Sequence, residues 1–139
     1  MGEERYRIDK GISYIQERMK SCEQRLTVLT SDEYLDIMDA VWEAYYDLEE
    51  AIFIANMAFD RFNRIGKLRD IPEANGLSQI EIRATFNKTL ENIANARDML
   101  SKHQVETTIE YLRRARDPLK GLLLADARRR KTHSPDKGI

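Results

Sequence analysis

Residues 8–29 read IDKGISYIQERMKSCEQRLTVL, and the apolar pattern of this stretch decides the fold. Its apolar residues are separated alternately by four and three positions, which places all of them on one stripe of an α-helix. Gly11 lies within the pattern and costs the helix up to ~1 kcal/mol relative to alanine. The stripe is long enough to outweigh that cost, so the sequence predicts a first helix that packs along a partner. The stripe consists of Ile8, Ile12, Ile15, Met19, Cys22, Leu26 and Leu29.

The same alternation continues after a polar break and predicts a longer second helix. Thr30 and Glu33 have the spacing of a capping box, in which each side chain binds the backbone N–H of the other residue. We therefore expect a helix from Ser31 to about Ile65, the longest of the chain, that stops at Gly66. Its apolar face is wide enough to contact more than one neighbouring helix. The stripe consists of Tyr34, Met38, Val41, Tyr45, Leu48, Ile52, Ala55, Phe59 and Phe62, and it is widened by Leu35, Trp42 and Phe53.

Two more helices follow the expected loop at residues 66–77. Ser78 and Glu81 have the spacing of a second capping box, which predicts the start of the third helix. In the fourth helix, Pro118 removes a backbone hydrogen bond and clashes with the preceding turn, and Asp117-Pro118 is also a good helix start. We therefore expect the fourth helix to be kinked or broken there. The apolar positions are Ile82, Phe86, Thr89, Ile93, Ala96 and Leu100 in the third helix and Val105, Ile109, Leu112, Leu119, Leu122 and Leu123 in the fourth.

These elements together predict an all-α fold: a four-helix, mainly antiparallel bundle with a long second helix and a kinked or broken fourth helix. The chain of 139 residues is long enough for one hydrophobic core, so we assign residues 1–126 to a single helical-bundle domain. Residues 127–139 are basic and polar, and we expect them to form a flexible tail. No segment shows the period-two alternation that is typical of a β-strand.

Composition excludes several classes of protein. No run approaches the ~18 apolar residues that cross a bilayer, so we expect no membrane partner. The charged N-terminus lacks the apolar core of a signal peptide, which favours the cytoplasm. The single cysteine, Cys22, allows neither an internal disulfide nor a cysteine metal cluster, and the two histidines, His103 and His133, stand alone. We therefore expect no metal and no other cofactor.

Charge is segregated along the chain, although the net charge is only −1. Residues 31–60 contain nine acids and no Lys or Arg, whereas residues 111–139 contain nine bases and three acids. This asymmetry is compatible with solvated helix faces, with pairing of acidic and basic helices, with self-association, or with an end that binds nucleic acid. The candidate nucleic-acid-binding residues are the four consecutive cations Arg128, Arg129, Arg130 and Lys131.

One pair of residues suggests catalysis. Arg97 and His103 flank the expected turn between the third and fourth helices. Histidine side chains act as general acids or bases near neutral pH, and arginine neutralises the charge that builds on a phosphoryl group in a transition state. Together they are a minimal set for cleaving RNA through its own 2′-hydroxyl without a metal. The alternative is a surface histidine that caps a helix and an arginine in a salt bridge.

The segment 97–103, RDMLSKH, resembles the motif of the HEPN superfamily, in which four to six residues separate an Arg from a His. Residues 3–15 and 48–56 (LEEAIFIAN) are similar to the first and second helices of the HEPN toxins that pair with minimal nucleotidyltransferase antitoxins. The resemblance implies a helical bundle that dimerises, with two Arg/His pairs facing a shared cleft and metal-independent endoribonuclease activity. Asp98 stands where the family usually has Asn, and Val105 where that group has a Tyr. A degenerate member that does not cleave RNA therefore stays open beside an active one.

From these features we predict a non-catalytic helical interaction or regulatory module, a homo-oligomer that also contacts a protein partner through its helix faces, as a degenerate HEPN protein would. The first alternative is a toxin-like endoribonuclease of HEPN type, in which Arg97 holds the phosphate of an RNA substrate and His103 moves the proton. The second alternative is a nucleic-acid-binding protein that uses its basic C-terminal end.

Overall fold

The computed structural model describes residues 2–59 and 71–132, and these residues form four α-helices and no strand. The all-α prediction is confirmed. None of the helices in the described part of the chain is long and apolar enough to cross a lipid bilayer. The helices are α1 (Gly2–Thr27), α2 (Tyr34–Ala58), α3 (Gln79–Ser101) and α4 (Val105–Thr132).

The four helices pack around one apolar core. Helix α1 packs along α2 and α3 along α4, while α2 also contacts α4 and α1 makes lighter contact with α3. All four helices contribute buried side chains to the same cluster, which confirms the predicted helical bundle. The largest fully buried apolar side chains are Ile15, Met19, Met38, Val41, Leu48, Ile82, Ile93, Leu112, Leu119 and Leu122.

Gly11 marks the point where α1 and α2 approach each other closely. The central residues of the α1 stripe are buried against the core, as its spacing predicts. A β-carbon at Gly11 would lie 2.5 Å from the Cβ atom of Ala58 on α2, which is closer than two carbon atoms can stand. The missing side chain therefore permits the contact between the two helices, a benefit that the sequence pattern alone does not reveal.

The start of α2 differs from the prediction. The capping box of Thr30 and Glu33 does not form, because Glu33 is the N-cap residue itself and makes no side-chain capping bond. Instead, the Ser31 hydroxyl accepts a hydrogen bond of 3.1 Å from the Glu33 N–H and donates one of 2.7 Å to Asp36. This local network satisfies the backbone outside the helix, so α2 begins three positions later than predicted, at Tyr34.

The end of α2 also lies earlier than its apolar pattern predicts. The helix ends at Ala58, and Phe59 has non-helical backbone angles. The predicted stop at Ile65 and Gly66 lies outside the described residues. Helix α2 has 25 residues and α4 has 28, so the prediction that the second helix is the longest is wrong for the residues described. An apolar stripe shows which face of a helix is buried, but it does not show where the backbone leaves the helix.

The start of α3 agrees with the sequence. Ser78 is the N-cap residue, and its hydroxyl accepts a hydrogen bond of 3.2 Å from the Glu81 N–H and donates one of 2.8 Å to the Glu81 carboxylate. Residues 71–78 before the helix are neither helical nor extended in a sheet, whereas residues 66–70 of the expected loop lie outside the described residues.

Helix α4 is continuous through Pro118, so the predicted break at Asp117-Pro118 does not occur. Proline has no N–H, and its ring displaces the carbonyl groups of the preceding turn. The fully buried Thr89 of α3 donates a hydrogen bond of 3.0 Å to the carbonyl of Ala115, which belongs to that turn. A bond from the neighbouring helix thus stabilises the turn, and the chain does not have to restart. A kink at this position stays a prediction.

The C-terminal end of α4 reaches into the segment that the sequence assigns to a tail. Residues 127–132 are helical, because α4 extends to Thr132. Residues 133–139, including His133, lie outside the described residues.

Candidate functional site

The turn between α3 and α4 places His103 in an unusual backbone conformation. The φ angle of His103 is 58°, in the left-handed region that glycine occupies most easily. Its N–H binds the carbonyl of Leu100 at 3.0 Å, and the N–H of Gln104 binds the carbonyl of Met99 at 3.0 Å. These two bonds form a Schellman motif that closes α3 at Ser101, at the turn that the sequence predicts between the third and fourth helices. His103 is exposed at the position after the cap.

Arg97 is bound to α1 and not to the histidine. Its guanidinium forms an ion pair with Glu23, in which Nη1 lies 3.3 Å from Oε2 and Nη2 makes a second, closer contact. The neighbouring Asp98 pairs with Lys102 at 3.2 Å. Both proposed catalytic residues are exposed at the same end of the bundle, but no hydrogen bond or ion pair between described residues joins Arg97 to His103. Nothing in the sequence pattern predicted Glu23 as the partner of the arginine.

Most of the basic residues at the end of α4 are bound within the domain. Lys131 is exposed, whereas the three arginines at residues 128–130 each contact a described side chain. The buried carboxylate of Asp126 accepts a hydrogen bond from the Tyr34 hydroxyl. Burial of the phenol and this carboxylate raise the pKa of Tyr34. The contacts are the ion pair of Arg128 with Glu73 at 3.2 Å, the guanidinium of Arg129 at 4.5 Å from the ring centre of Tyr34, and the ion pair of Arg130 with Asp126 at 3.0 Å.

Asp47 is a buried carboxylate of α2 that faces α1. It accepts hydrogen bonds of 2.9 Å from Ser21 and from Arg25, and a longer one of 3.4 Å from Arg18. A buried carboxylate is tolerated when it is paired in this way. Burial, and secondarily the charge of Asp47, raise the pKa of the nearby Cys22 thiol. Cys22 is therefore a neutral residue of the core and has no nucleophilic thiolate.

Other acids of α2 bind arginines of the adjacent helices. On the α4 side, Arg116 donates a hydrogen bond of 2.7 Å to Glu49 and is held by Asp117 at 2.9 Å. On the α1 side, the two arginines that bind the buried aspartate also bind Glu43 and Glu50. Pairing between acidic and basic helices, one of the explanations that the sequence left open for the charge asymmetry, therefore occurs inside the fold.

The side of α2 that faces away from the core carries a line of exposed apolar residues, which we call the α2 outward stripe. At 3.6 residues per turn, all five fall within an arc of about 60° around the helix. The rings of Trp42 and Tyr46 stack on each other with their centres 5.6 Å apart. The members and their exposed fractions are Leu35 at 65%, Trp42 at 42%, Tyr46 at 61%, Phe53 at 54% and Met57 at 43%.

The environment predicted for part of this stripe was wrong. Leu35, Trp42 and Phe53 were expected to widen the apolar face that contacts neighbouring helices, but these side chains are exposed. Tyr46 and Met57 were not singled out. The missed signal is the separation of the five residues by seven, four, seven and four positions, which defines a second apolar line on the same helix.

A cavity of about 800 Å³ lies between α3, α4 and residues 72–76. Its lining includes Lys88 and Arg114 together with Glu81 and Glu91. These side chains carry both positive and negative charges, and Arg114 is already bound by a glutamate on its own helix. The cavity therefore does not present a charge of one sign to a ligand.

No site for a metal is evident in the part of the chain that the structure describes, where no group of three or more His, Cys, Asp or Glu side chains is placed to hold an ion. The chain matches no protein-family model, no curated protein and no solved structure.

Proposed function

We propose that this protein is a non-catalytic helical-bundle module that self-associates and contacts protein partners through the α2 outward stripe. The observation that carries the proposal is the line of five exposed apolar side chains along one helix. Single apolar side chains are ordinary on protein surfaces, but a line of five that contains Trp and Tyr is typical of an interface.

We also infer that the packed helices of the bundle run mainly antiparallel. This arrangement accounts for the face of α2 that no other helix covers. Residue numbers run in opposite directions along the α1–α2 and α2–α4 contacts. Helices α1 and α4 then occupy two sides of α2, and the remaining side carries the stripe. The supporting contacts are those of Arg25 with Glu43, Gly11 with Ala58, Tyr34 with Asp126 and Glu49 with Arg116.

Covering the stripe is energetically favourable. Complete burial of one Leu, Met or Phe side chain contributes roughly 1.5–3 kcal/mol. Large aromatic side chains also dominate the binding energy of many interfaces, and the α2 outward stripe contains Trp42, Tyr46 and Phe53. Because the first two rings are already stacked on each other, they lose little conformational freedom when a partner covers them.

The absence of catalysis in this proposal rests on the surroundings of Arg97. Its guanidinium is held by Glu23, so an RNA phosphate would have to displace a bound carboxylate, which is electrostatically unfavourable. Arg97 therefore forms a structural ion pair that joins α3 to α1.

A second candidate function, the HEPN-type ribonuclease, is favoured by the backbone of His103. Helix α3 ends at Ser101, and His103 is exposed with a positive φ angle although glycine would be less strained there. Non-glycine residues in this conformation cluster at functional sites. This candidate requires Arg97 to leave Glu23.

Sedimentation equilibrium over a wide range of concentrations tests the proposed self-association. We expect the wild-type protein to form a dimer, and the double variant Trp42→Ser/Phe53→Ser to need at least about tenfold higher concentration to do so. The matched control is Ile80→Ser, which removes an even more exposed apolar side chain from α3. A wild-type protein that sediments as a monomer at every concentration would contradict the proposal.

A further inference from the structure

We infer that two copies of this chain pair through their α2 outward stripes, with the two α2 helices antiparallel about a two-fold axis at Tyr46. The inference rests on the proposed function, because it names the occupant of the stripe as a second copy and gives its orientation. Three features of the described residues support it: the spacing of the stripe, the position of its acids and the exposed area.

The spacing of the stripe is the same in both directions along the helix. Two acids, Asp39 and Glu50, lie in the same line as the five apolar residues. From Leu35 to Met57, successive positions of the line are then separated by four, three, four, four, three and four residues, with Tyr46 in the middle. Each position of one helix therefore meets a position of the other when two such helices pair antiparallel at the centre. A self-complementary surface of this kind is what a two-fold dimer requires.

The acids favour the antiparallel orientation over the parallel one. In a parallel pair, Asp39 would face the partner's Asp39 and Glu50 would face the partner's Glu50, which places like charges together in the interface. In the antiparallel pair, Asp39 faces the partner's Phe53. Glu50, which Arg18 already binds, faces the partner's Trp42. The edge of an aromatic ring is positive and the indole N–H is a donor, so both rings can accommodate a carboxylate.

The ends and the area of the stripe fit a weak dimer. Leu35 at one end meets the partner's Met57, so the contact extends over roughly 33 Å of helix at 1.5 Å per residue. From their exposed fractions, the five apolar side chains offer on the order of 500 Å² per copy, which brings the total to the lower range of specific interfaces. We therefore expect an equilibrium between monomer and dimer.

Cross-linking through single introduced cysteines tests the orientation. The native Cys22 does not interfere, because it is fully buried. With a short bismaleimide reagent, Tyr46→Cys should cross-link to itself, since position 46 lies on the axis. Leu35→Cys should not cross-link to itself, but a mixture of Leu35→Cys and Met57→Cys chains should give the mixed dimer. Gln16→Cys, on the exposed side of α1, measures the background of random collision.

Tyr46→Cys removes a ring from the centre of the proposed interface. The mixed dimer of Leu35→Cys and Met57→Cys chains retains Tyr46 in both chains, so this part of the test does not depend on that replacement. Self-cross-linking of Leu35→Cys at the rate of Tyr46→Cys would show a parallel pair and overturn the inference. A sedimenting dimer in which no stripe cysteine cross-links above the Gln16→Cys background would also overturn it, because the dimer would then use another face. A monomer in sedimentation, in contrast, would overturn the proposed function itself.

Discussion

The hydroxyl of Thr89 on α3 donates a hydrogen bond of 3.0 Å to the backbone carbonyl of Ala115 on α4. The acceptor lies in the turn just before Pro118, next to the carbonyl of Arg114, which lacks its usual donor because proline has no N–H. Both groups are inside the bundle, so no solvent replaces the bond if it is lost. This single contact links the packing of two helices to the continuity of one of them.

Replacing Thr89 by Val should therefore destabilise the protein. The two side chains have nearly the same shape, but valine lacks the hydroxyl that donates to the carbonyl of Ala115. We expect the free energy of unfolding, measured by urea denaturation, to fall by about 0.5–1.5 kcal/mol. Thr89→Ser keeps the hydroxyl and is the matched control. We expect this variant to be more stable than Thr89→Val. Equal stability of the two variants would show that the hydrogen bond contributes nothing.

Gly11→Ala should lower stability, although alanine usually stabilises a helix interior by about 0.5–1 kcal/mol. The new methyl group would overlap the Cβ atom of Ala58, and overpacking of this kind costs typically 1–3 kcal/mol. Adding Ala58→Gly removes the overlap, so the double variant should recover part of the loss in a double-mutant cycle. A Gly11→Ala protein with a higher melting temperature than the wild type would contradict the close approach of α1 and α2.

His103→Gly should raise stability. The φ angle of 58° at His103 costs a side-chain-bearing residue about 1 kcal/mol, and glycine adopts it without this strain. We expect a gain of that order in the free energy of unfolding. Lys102→Gly is the matched control: Lys102 has a φ angle of −93°, so glycine there should lower stability or leave it unchanged. A loss of stability in His103→Gly would mean that the imidazole itself makes a contact that stabilises the turn.

The protein should become less stable in alkaline solution because of Cys22. Burial raises the pKa of its thiol in the folded state, whereas the unfolded chain ionises the thiol near the ordinary pKa of about 8.5. The stability is therefore fully present below that pH and falls as the pH rises above it, since only the unfolded state releases the proton. Between pH 8 and 10 we expect the wild type to lose about 2 kcal/mol more than Cys22→Ala. Parallel pH profiles for the two proteins would contradict the burial of this thiol.

The ribonuclease alternative is tested with single-stranded RNA in the presence of a chelator. We expect no cleavage by the wild type, and none by Glu23→Gln, which frees the guanidinium of Arg97 from its partner. Lys102→Ala controls for the loss of a neighbouring cation. Cleavage that disappears in both Arg97→Ala and His103→Ala, but persists in Lys102→Ala, would contradict the non-catalytic proposal and favour the ribonuclease.

The sequence by itself predicted the four helices of the described residues, their approximate positions and the buried face of α1. These features depend on residues close together in the chain: the four-three spacing that places Ile15 and Met19 on one stripe, and the hydroxyl of Ser78 that caps α3. The candidate site was recovered only in part. The turn between α3 and α4, which Arg97 and His103 flank, was predicted from the sequence, but the surroundings of the arginine were not.

Only the tertiary structure decided which groups from different helices meet. Whether Trp42 faces the core or the solvent depends on where α1 and α4 lie around α2, and the apolar spacing of α2 is compatible with both. The binding of Glu23 to Arg97 and the hydrogen bond that Thr89 supplies near Pro118 likewise join residues far apart in the chain. Local periodicity carries no information about such contacts, because they depend on how the faces of different helices pack against each other.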